Sequence, residues 1–257
     1  MKNELIFTMD VEDWYHSENV VHYLPQKIPK HSSLHVMDRI IKLLEERNIK
    51  GTFFFLGTIA EANPGIVLDL FKEGHEIANH GWDHTLLNNM NRAQTTIDIK
   101  RSTEVLETII SDKIIGYRSP CFSVNASIFE ILNSFGYKYT SMGIKSTLHD
   151  RYSDNSGYNN AIIDLELPVA SKFGFNIPAT GGGWFRLFPC TIQKLLIRIS
   201  QQTPKVFYCH PWDFDDLKPN FDNMSSISRF RHNVNTSNSF EKLNRLSFGK
   251  DVLKNSI

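Results

Sequence analysis

Two histidines four residues apart, His80 and His84, close the run His75-Glu76-Ile77-Ala78-Asn79-His80-Gly81-Trp82-Asp83-His84. On a helical turn, residues i and i+4 point the same way. Two imidazoles aimed at one point can hold a divalent ion such as zinc, cobalt or nickel. The same spacing also arises when one ring caps a turn and the other packs, so the pair needs acidic company to mean metal. The H-E-x-x-H helix of metalloproteases is excluded, because Gly81 follows His80.

Acidic company exists. Leu5 to Met9 is a short apolar run, read as a buried strand, and it delivers Asp10-Val11-Glu12-Asp13-Trp14. Three carboxylates within four residues repel one another; a solvated turn or a metal ligand with a general base would account for them. Two further apolar runs end in useful groups. Ile114 to Tyr117 leads into Arg118-Ser119-Pro120-Cys121-Phe122, and Val206 to Cys209 leads into His210-Pro211-Trp212. In α/β folds, sites gather at the carboxyl ends of strands. Asp10, Glu12 or Asp13, His80, His84, Arg118 and His210 together suit metal-assisted hydrolysis. The metal would polarise an acyl oxygen and acidify its water. A carboxylate would take that water's proton, and a separate histidine would protonate the leaving group.

The elements that must position these groups alternate. Leu34, Met37, Ile40, Ile41 and Leu44 predict a helix from Ser32 or Ser33 to about Asn48. A strand over Thr52–Leu56, a helix ending at Lys72 and the strand ending at His80 follow. Arg92–Ile110 reads as a helix, Ser127–Phe135 as another, and Lys138–Met142 as a strand. Residues 15–31 and 143–163 are polar and read as surface loops. Asp164–Pro168 and Phe173–Ile177 read as strands, and Thr191–Ser200 as a helix. Gly181-Gly182-Gly183-Trp184 reads either as a hinge or as backbone able to approach a ligand closely. This alternation predicts a mainly parallel sheet built from βα units. Residues 1–257 are expected to form a single domain, with 220–257 as an extension packed on it, carrying a short helix near Phe240–Leu246.

Composition narrows the function classes. Lysine plus arginine balances aspartate plus glutamate at 28 each, so nothing favours electrostatic capture of nucleic acid or an anionic surface. No apolar run is long enough to span a membrane, and the N-terminal one is too short for a signal peptide, which points to a cytoplasmic protein. Cys121, Cys190 and Cys209 are too few and too scattered for a disulfide framework and are expected as small buried residues.

The chain resembles the polysaccharide deacetylases of carbohydrate esterase family four, the NodB-type domain. Thr8-Met9-Asp10 is similar to that family's first motif, Gly74 through His84 to its second, Tyr117-Arg118-Ser119-Pro120 to its third, and Tyr208-Cys209-His210 to its last. Asp-Val-Glu-Asp-Trp, Gly181 to Pro189, His210-Pro211-Trp212 and Arg229-Phe230-Arg231-His232 resemble a branch with a C-terminal extension found in surface-glycan clusters. The resemblance implies a distorted (β/α) barrel of about seven parallel strands. It implies a divalent metal, zinc foremost with cobalt, nickel or manganese as alternatives, on His80, His84 and one acidic residue. Val11 follows Asp10 where most members have a second aspartate, so that ligand is Glu12 or Asp13. It further implies Asp10 as base, Arg118 as its orienting partner, His210 as acid, and the Cys121 N–H beside the oxyanion. Trp82, Phe122, Gly182, Trp184 and Trp212 are candidates for the acyl pocket or a sugar face. The expected partner is an N-acetylated glycan or a sugar-linked precursor. A non-sugar amide (a ureide or formyl group) and a catalytically silent glycan-binding role are the rival expectations.

Overall fold

The computed structural model describes residues 4–146, 162–172 and 175–257. Seven strands form one open sheet: β1 Leu5–Val11, β2 Gly51–Phe55, β3 Glu76–Asn79, β4 Gly116–Tyr117, β5 Tyr139–Thr140, β6 Ile163–Asp164 and β9 Lys205–Cys209. Their order is β6-β5-β4-β3-β2-β1-β9, and every pairing is parallel. This is the expected seven-stranded curled half-barrel. A separate antiparallel hairpin pairs β7 Val169–Lys172 with β8 Phe175–Pro178.

Parallel strands covered on both faces read as continuous apolar runs. All seven residues of β1 are buried accordingly. Side chains alternate between the faces. Phe7, Phe53 and Phe207 enter the large cluster under the helices, while Ile6, Phe54, Ala78 and Val206 line the concave face. The helices supply the other half of the large cluster. In α1, Met37–Glu46, residues Met37, Ile40 and Leu44 are buried at helical spacing. Helix α4, Arg92–Ile110, begins with a reciprocal cap between Asn91 and Gln94.

The end of the chain closes the bottom of the concave face. Leu253 sits in the concave cluster, its N–H donates to Thr52 Oγ1 at 3.0 Å, and Lys254 N donates to Glu76 Oε2 at 3.1 Å. Leu5 bridges to Phe248, and Phe240, Leu243 and Leu246 join the large cluster. Phe240, Leu243, Leu246 and Leu253 are thereby buried against the sheet and its helices. Helix α9, Ser239–Asn244, matches the expected short helix, whereas α8, Ser226–Asn233, was not foreseen.

Other differences have local causes. Only Ile163–Asp164 pairs as a strand where Asp164–Pro168 was expected, because Leu165 and Leu167 instead bond singly to Thr140 and Gly143. The glycine run is not a hinge: α6, Gly182–Leu187, starts on it, followed by α7, Cys190–Ile199. Gly181, at φ 78°, lies so close to Tyr208 that a Cβ there would fall 1.9 Å from its ring. The close approach is to a side chain of the chain itself. Residues 147–161 of the expected surface loop, and the start of the strand expected at Phe173, lie outside the described residues. Cys209 is buried, but Cys121 and Cys190 are partly exposed.

Candidate active site

The pleat explains why distant residues meet. Asp10 shares a strand face with Ile6 and Thr8. The register Thr8↔Tyr208 and Asp10↔Phe54↔Ala78 puts His210 and His80 beyond the ends of β9 and β3 on the same side. Arg118 follows β4. Its guanidinium is fully buried over the Phe54 ring, 4.2 Å from the centroid. It donates to Asp10 Oδ1 at 2.6 Å, Thr8 Oγ1 at 2.9 Å, Ser141 O at 3.1 Å and Ser141 Oγ at 2.9 Å. Asp10 is thus held by a cation that is itself fixed at three other points, as the forked guanidinium permits.

His80 and His84 do not share a helical turn. They sit on a loop after β3, bent by positive φ at Gly81 (87°) and His84 (69°). The rings still converge, with centroids 5.5 Å apart. Ligand atoms of Glu12, His80 and His84 all lie within 4.8 Å of one another. His80 Nδ1 meets the Arg118 carbonyl at 2.8 Å, so it carries the proton and leaves Nε2 for the site. Burial pushes the His80 imidazole down to about 4, so it is neutral, as a ligand must be. Glu12 Oε2 lies 2.8 Å from His84 Nε2 as an ion pair, and this buried oxygen has no other polar partner. Burial pushes the Glu12 carboxyl up, but the His84, His210 and His80 rings outweigh it and hold it well below the usual range. For His84 burial lowers the pKa, and the Glu12 carboxylate more than reverses that. A buried, under-bonded carboxylate facing two imidazoles is the donor set of a borderline divalent ion.

The structure separates the two acidic candidates. Asp13 faces away from the histidines. Its carboxylate accepts from Trp14 N at 2.8 Å, Ser33 N at 2.8 Å and Ser32 Oγ at 2.5 Å, so it serves as a cap. Asp13 and Glu12 are neighbours, and the turn that caps one aims the other inward.

His210 stands opposite. Its Nε2 is 3.9 Å from Asp10 Oδ2 and 3.6 Å from Glu12 Oε1, and its Nδ1 is 2.9 Å from Asp213 Oδ2. Burial alone would lower His210, but the carboxylates of Asp213, Glu12 and Asp10 outweigh it and raise it. Asp213 in turn pairs with buried Arg186 at 2.6 Å. Arg186 also donates to the carbonyls of Arg231 at 2.7 Å, His232 at 3.1 Å and Val234 at 3.1 Å. Asp213 and Arg186 were not singled out from sequence. The one available signal was the spacing in His210-Pro211-Trp212-Asp213, three residues from a histidine to a carboxylate.

A cavity of about 440 Å³ joins these groups. Cys121, Phe122, Gly182 and Trp184 line it. Trp212 also lines it, but its work is inward: Nε1 donates to Glu12 Oε1 at 3.0 Å, and its ring stacks on His210 at 4.2 Å. Trp82 does not line it. Its ring packs on Gly57 and lies under Arg101, 3.4 Å from the guanidinium carbon. Cys121, directly after Pro120, adopts φ 49° where it lines the cavity. Leu187, Ile227, Phe230 and Arg231 complete the mouth. The last three belong to α8, a helix not assigned from sequence although Phe230 and Arg231 fall in the Arg229-Phe230-Arg231-His232 motif.

Residues 31–140 match the family model described as Polysaccharide deacetylase, and residues 135–252 match one described as Domain of unknown function DUF3473. A peptidoglycan-N-acetylglucosamine deacetylase of Bacillus cereus is 28% identical over 100 residues, 39% of this chain and 46% of that protein. A chitin deacetylase of a Pestalotiopsis species is 27% identical over 122 residues, 46% of this chain and 41% of that protein. The chain thus spans less than half the length of these curated relatives. Among solved structures, a family 4 carbohydrate esterase from Streptomyces lividans in complex with acetate superposes with a TM-score of 0.52 at 12% identity, covering 96% of this chain and 92% of that one. A family 4 pseudoenzyme from Bacillus anthracis superposes with a TM-score of 0.54 at 12% identity, over 99% and 66%. At such identities the likeness is one of fold.

Proposed function

We infer that this chain, a polysaccharide deacetylase domain joined to a DUF3473 region, is a metal-dependent hydrolase that removes acetyl groups from N-acetylated sugars of a polysaccharide or its precursor. The observation that carries the reading is the convergence in one cavity of Glu12, His80 and His84 with Asp10–Arg118 on one side and His210–Asp213 on the other.

Glu12, His80 and His84 would hold the ion, zinc being the best match to two imidazoles and a carboxylate. When bound, it supplies Lewis acidity toward the acyl oxygen and a more acidic water. Arg118 occupies Asp10 Oδ1, which turns Oδ2 toward the cavity as acceptor of the water's proton. His210 enters with its ring flanked by three carboxylates, which favours its charged form. Its Nδ1–H is held by Asp213, so the Nε2 proton is the one delivered to the departing amine. The stacked Trp212 keeps that ring from turning.

The wall formed by Trp184, Leu187, Ile227 and Phe230 offers apolar faces of the kind sugar rings pack against, and Arg231 adds a cation at the mouth. Substrate preference is therefore assigned to the DUF3473 part, and acetyl chemistry to the groups shared with the deacetylase motifs.

The test is acetate release from N-acetylglucosamine oligomers and nucleotide-linked N-acetyl sugars, with a ureide as comparator. Wild-type protein should release acetate, and Asp10→Asn should reduce turnover at least about a hundredfold, the lower end of what a general base contributes. Turnover of the ureide alone would move the reading to amidohydrolysis. Oligomer binding without any turnover by the zinc-loaded protein would move it to a silent glycan-binding role.

A further inference from the structure

A second set of metal-ligand side chains lies outside this site. His31 and His35 stand four residues apart on the segment entering α1, and Asp215 comes from the turn after His210. Their ligand atoms lie within 4.8 Å of one another. We propose that His31, His35 and Asp215 form a second divalent-cation site, of the zinc class, that braces the catalytic loops from behind.

Each prospective ligand is already held. His35 Nδ1 meets the Ser32 carbonyl at 2.8 Å, so it bears the proton and presents Nε2, the same backbone arrangement that fixes His80. The His31 backbone carbonyl is held by the Trp14 indole N–H at 2.9 Å. Asp215 is buried and accepts from Ser33 Oγ at 2.6 Å and Leu217 N at 3.0 Å. Its Oδ2 is 2.6 Å from His31 Nε2, and its Oδ1 is 3.9 Å from His35 Nε2. Ligand atoms around a tetrahedral zinc with bonds of 2.0–2.1 Å stand about 3.3 Å apart. The two observed spacings bracket that value. Small rotations of two part-exposed imidazoles would reach it.

The primary site likewise joins two histidines to one buried carboxylate, with a His–carboxylate contact of 2.8 Å, while here His31 Nε2 and Asp215 Oδ2 share a hydrogen bond that an ion would replace. Access is open, because His31 and His35 line a broad surface cavity. Position gives the site its consequence. Ser32 and Ser33 bond Asp13, the neighbour of Glu12, while Ser33 also bonds Asp215, two residues beyond Asp213. An ion here would pin the loop behind Glu12 to the turn that orients His210.

The inference does not rest on the deacetylase reading, and its test is zinc binding alone. Chelator-stripped full chain is titrated with zinc chloride by calorimetry. Wild-type protein should bind two ions per chain, His31→Ala/His35→Ala one, and His80→Ala/His84→Ala one. The single variant His35→Ala alters a half-exposed ring and should keep the wild-type circular dichroism while weakening one of the two sites at least about tenfold. Wild-type stoichiometry retained in His31→Ala/His35→Ala, or unchanged affinities in His35→Ala, overturns the proposal, whatever the primary site binds.

Discussion

Trp212→Phe separates two roles that one indole could play. In the structure Trp212 Nε1 donates to Glu12 Oε1 at 3.0 Å while the ring stacks on His210. Phenylalanine keeps an aromatic face and removes the donor. A hydrogen bond to a charged group contributes about 1.5–3 kcal/mol, and each 1.4 kcal/mol is about tenfold in affinity. The loss falls on an oxygen of the prospective metal ligand, so zinc affinity should weaken by about ten- to a hundredfold. That agrees with the range seen for outer partners of metal ligands. The assay is competition for zinc against a chromophoric chelator, paired with KM for an N-acetylglucosamine oligomer at saturating zinc. Zinc affinity should fall while KM changes little. Zinc affinity within about twofold of wild type, with KM raised instead, would refute the reasoning and return Trp212 to a sugar-stacking role.

Four further outcomes are expected. Asp213→Asn removes the strongest neighbour that raises His210; because the acid must be protonated, activity falls as pH rises through its pKa, and the alkaline limb of kcat should move to lower pH. Asp13→Ala should lower stability by about 1–2 kcal/mol in urea unfolding, through loss of a cap, while zinc stoichiometry stays at the wild-type value. Leu253→Ala should cost about 2–5 kcal/mol, because it empties the floor of the concave face. Gly181→Ala should yield little folded protein or a strongly lowered Tm, since the added carbon meets the Tyr208 ring at positive φ.

Much of this was legible in the residues because strands are written plainly. Apolar runs ending at Asp10, His80, Arg118 and His210 located four strand ends, and period-two alternation carried Asp10, His80 and His210 to one face. What the sequence could not show was direction within a turn. Glu12 and Asp13 differ by one position, and only the cap on Trp14 and Ser33 decides which faces the histidines. His80 and His84 looked like a helical pair, yet two positive-φ residues bring them together on a loop. Trp82 lay between them in sequence but turns to the far side, where Arg101 covers it. Arg186 and α8 lie in segments whose motifs were visible, but their partnership was not: the guanidinium bonds Asp213 and the carbonyls of Arg231, His232 and Val234, 27 to 48 positions away, and such bonds leave no mark on composition or periodicity.

The central claim is that Glu12, His80 and His84 hold the ion on which deacetylation depends. The measurement that tests it most directly is acetate release from an N-acetylglucosamine oligomer by one preparation, before chelation, after chelation, and after zinc is restored. His80→Ala/His84→Ala is carried alongside. Release should vanish with the metal, return with zinc in the wild type, and stay absent in the variant. Release that survives chelation, or that zinc restores equally to the variant, would contradict the account.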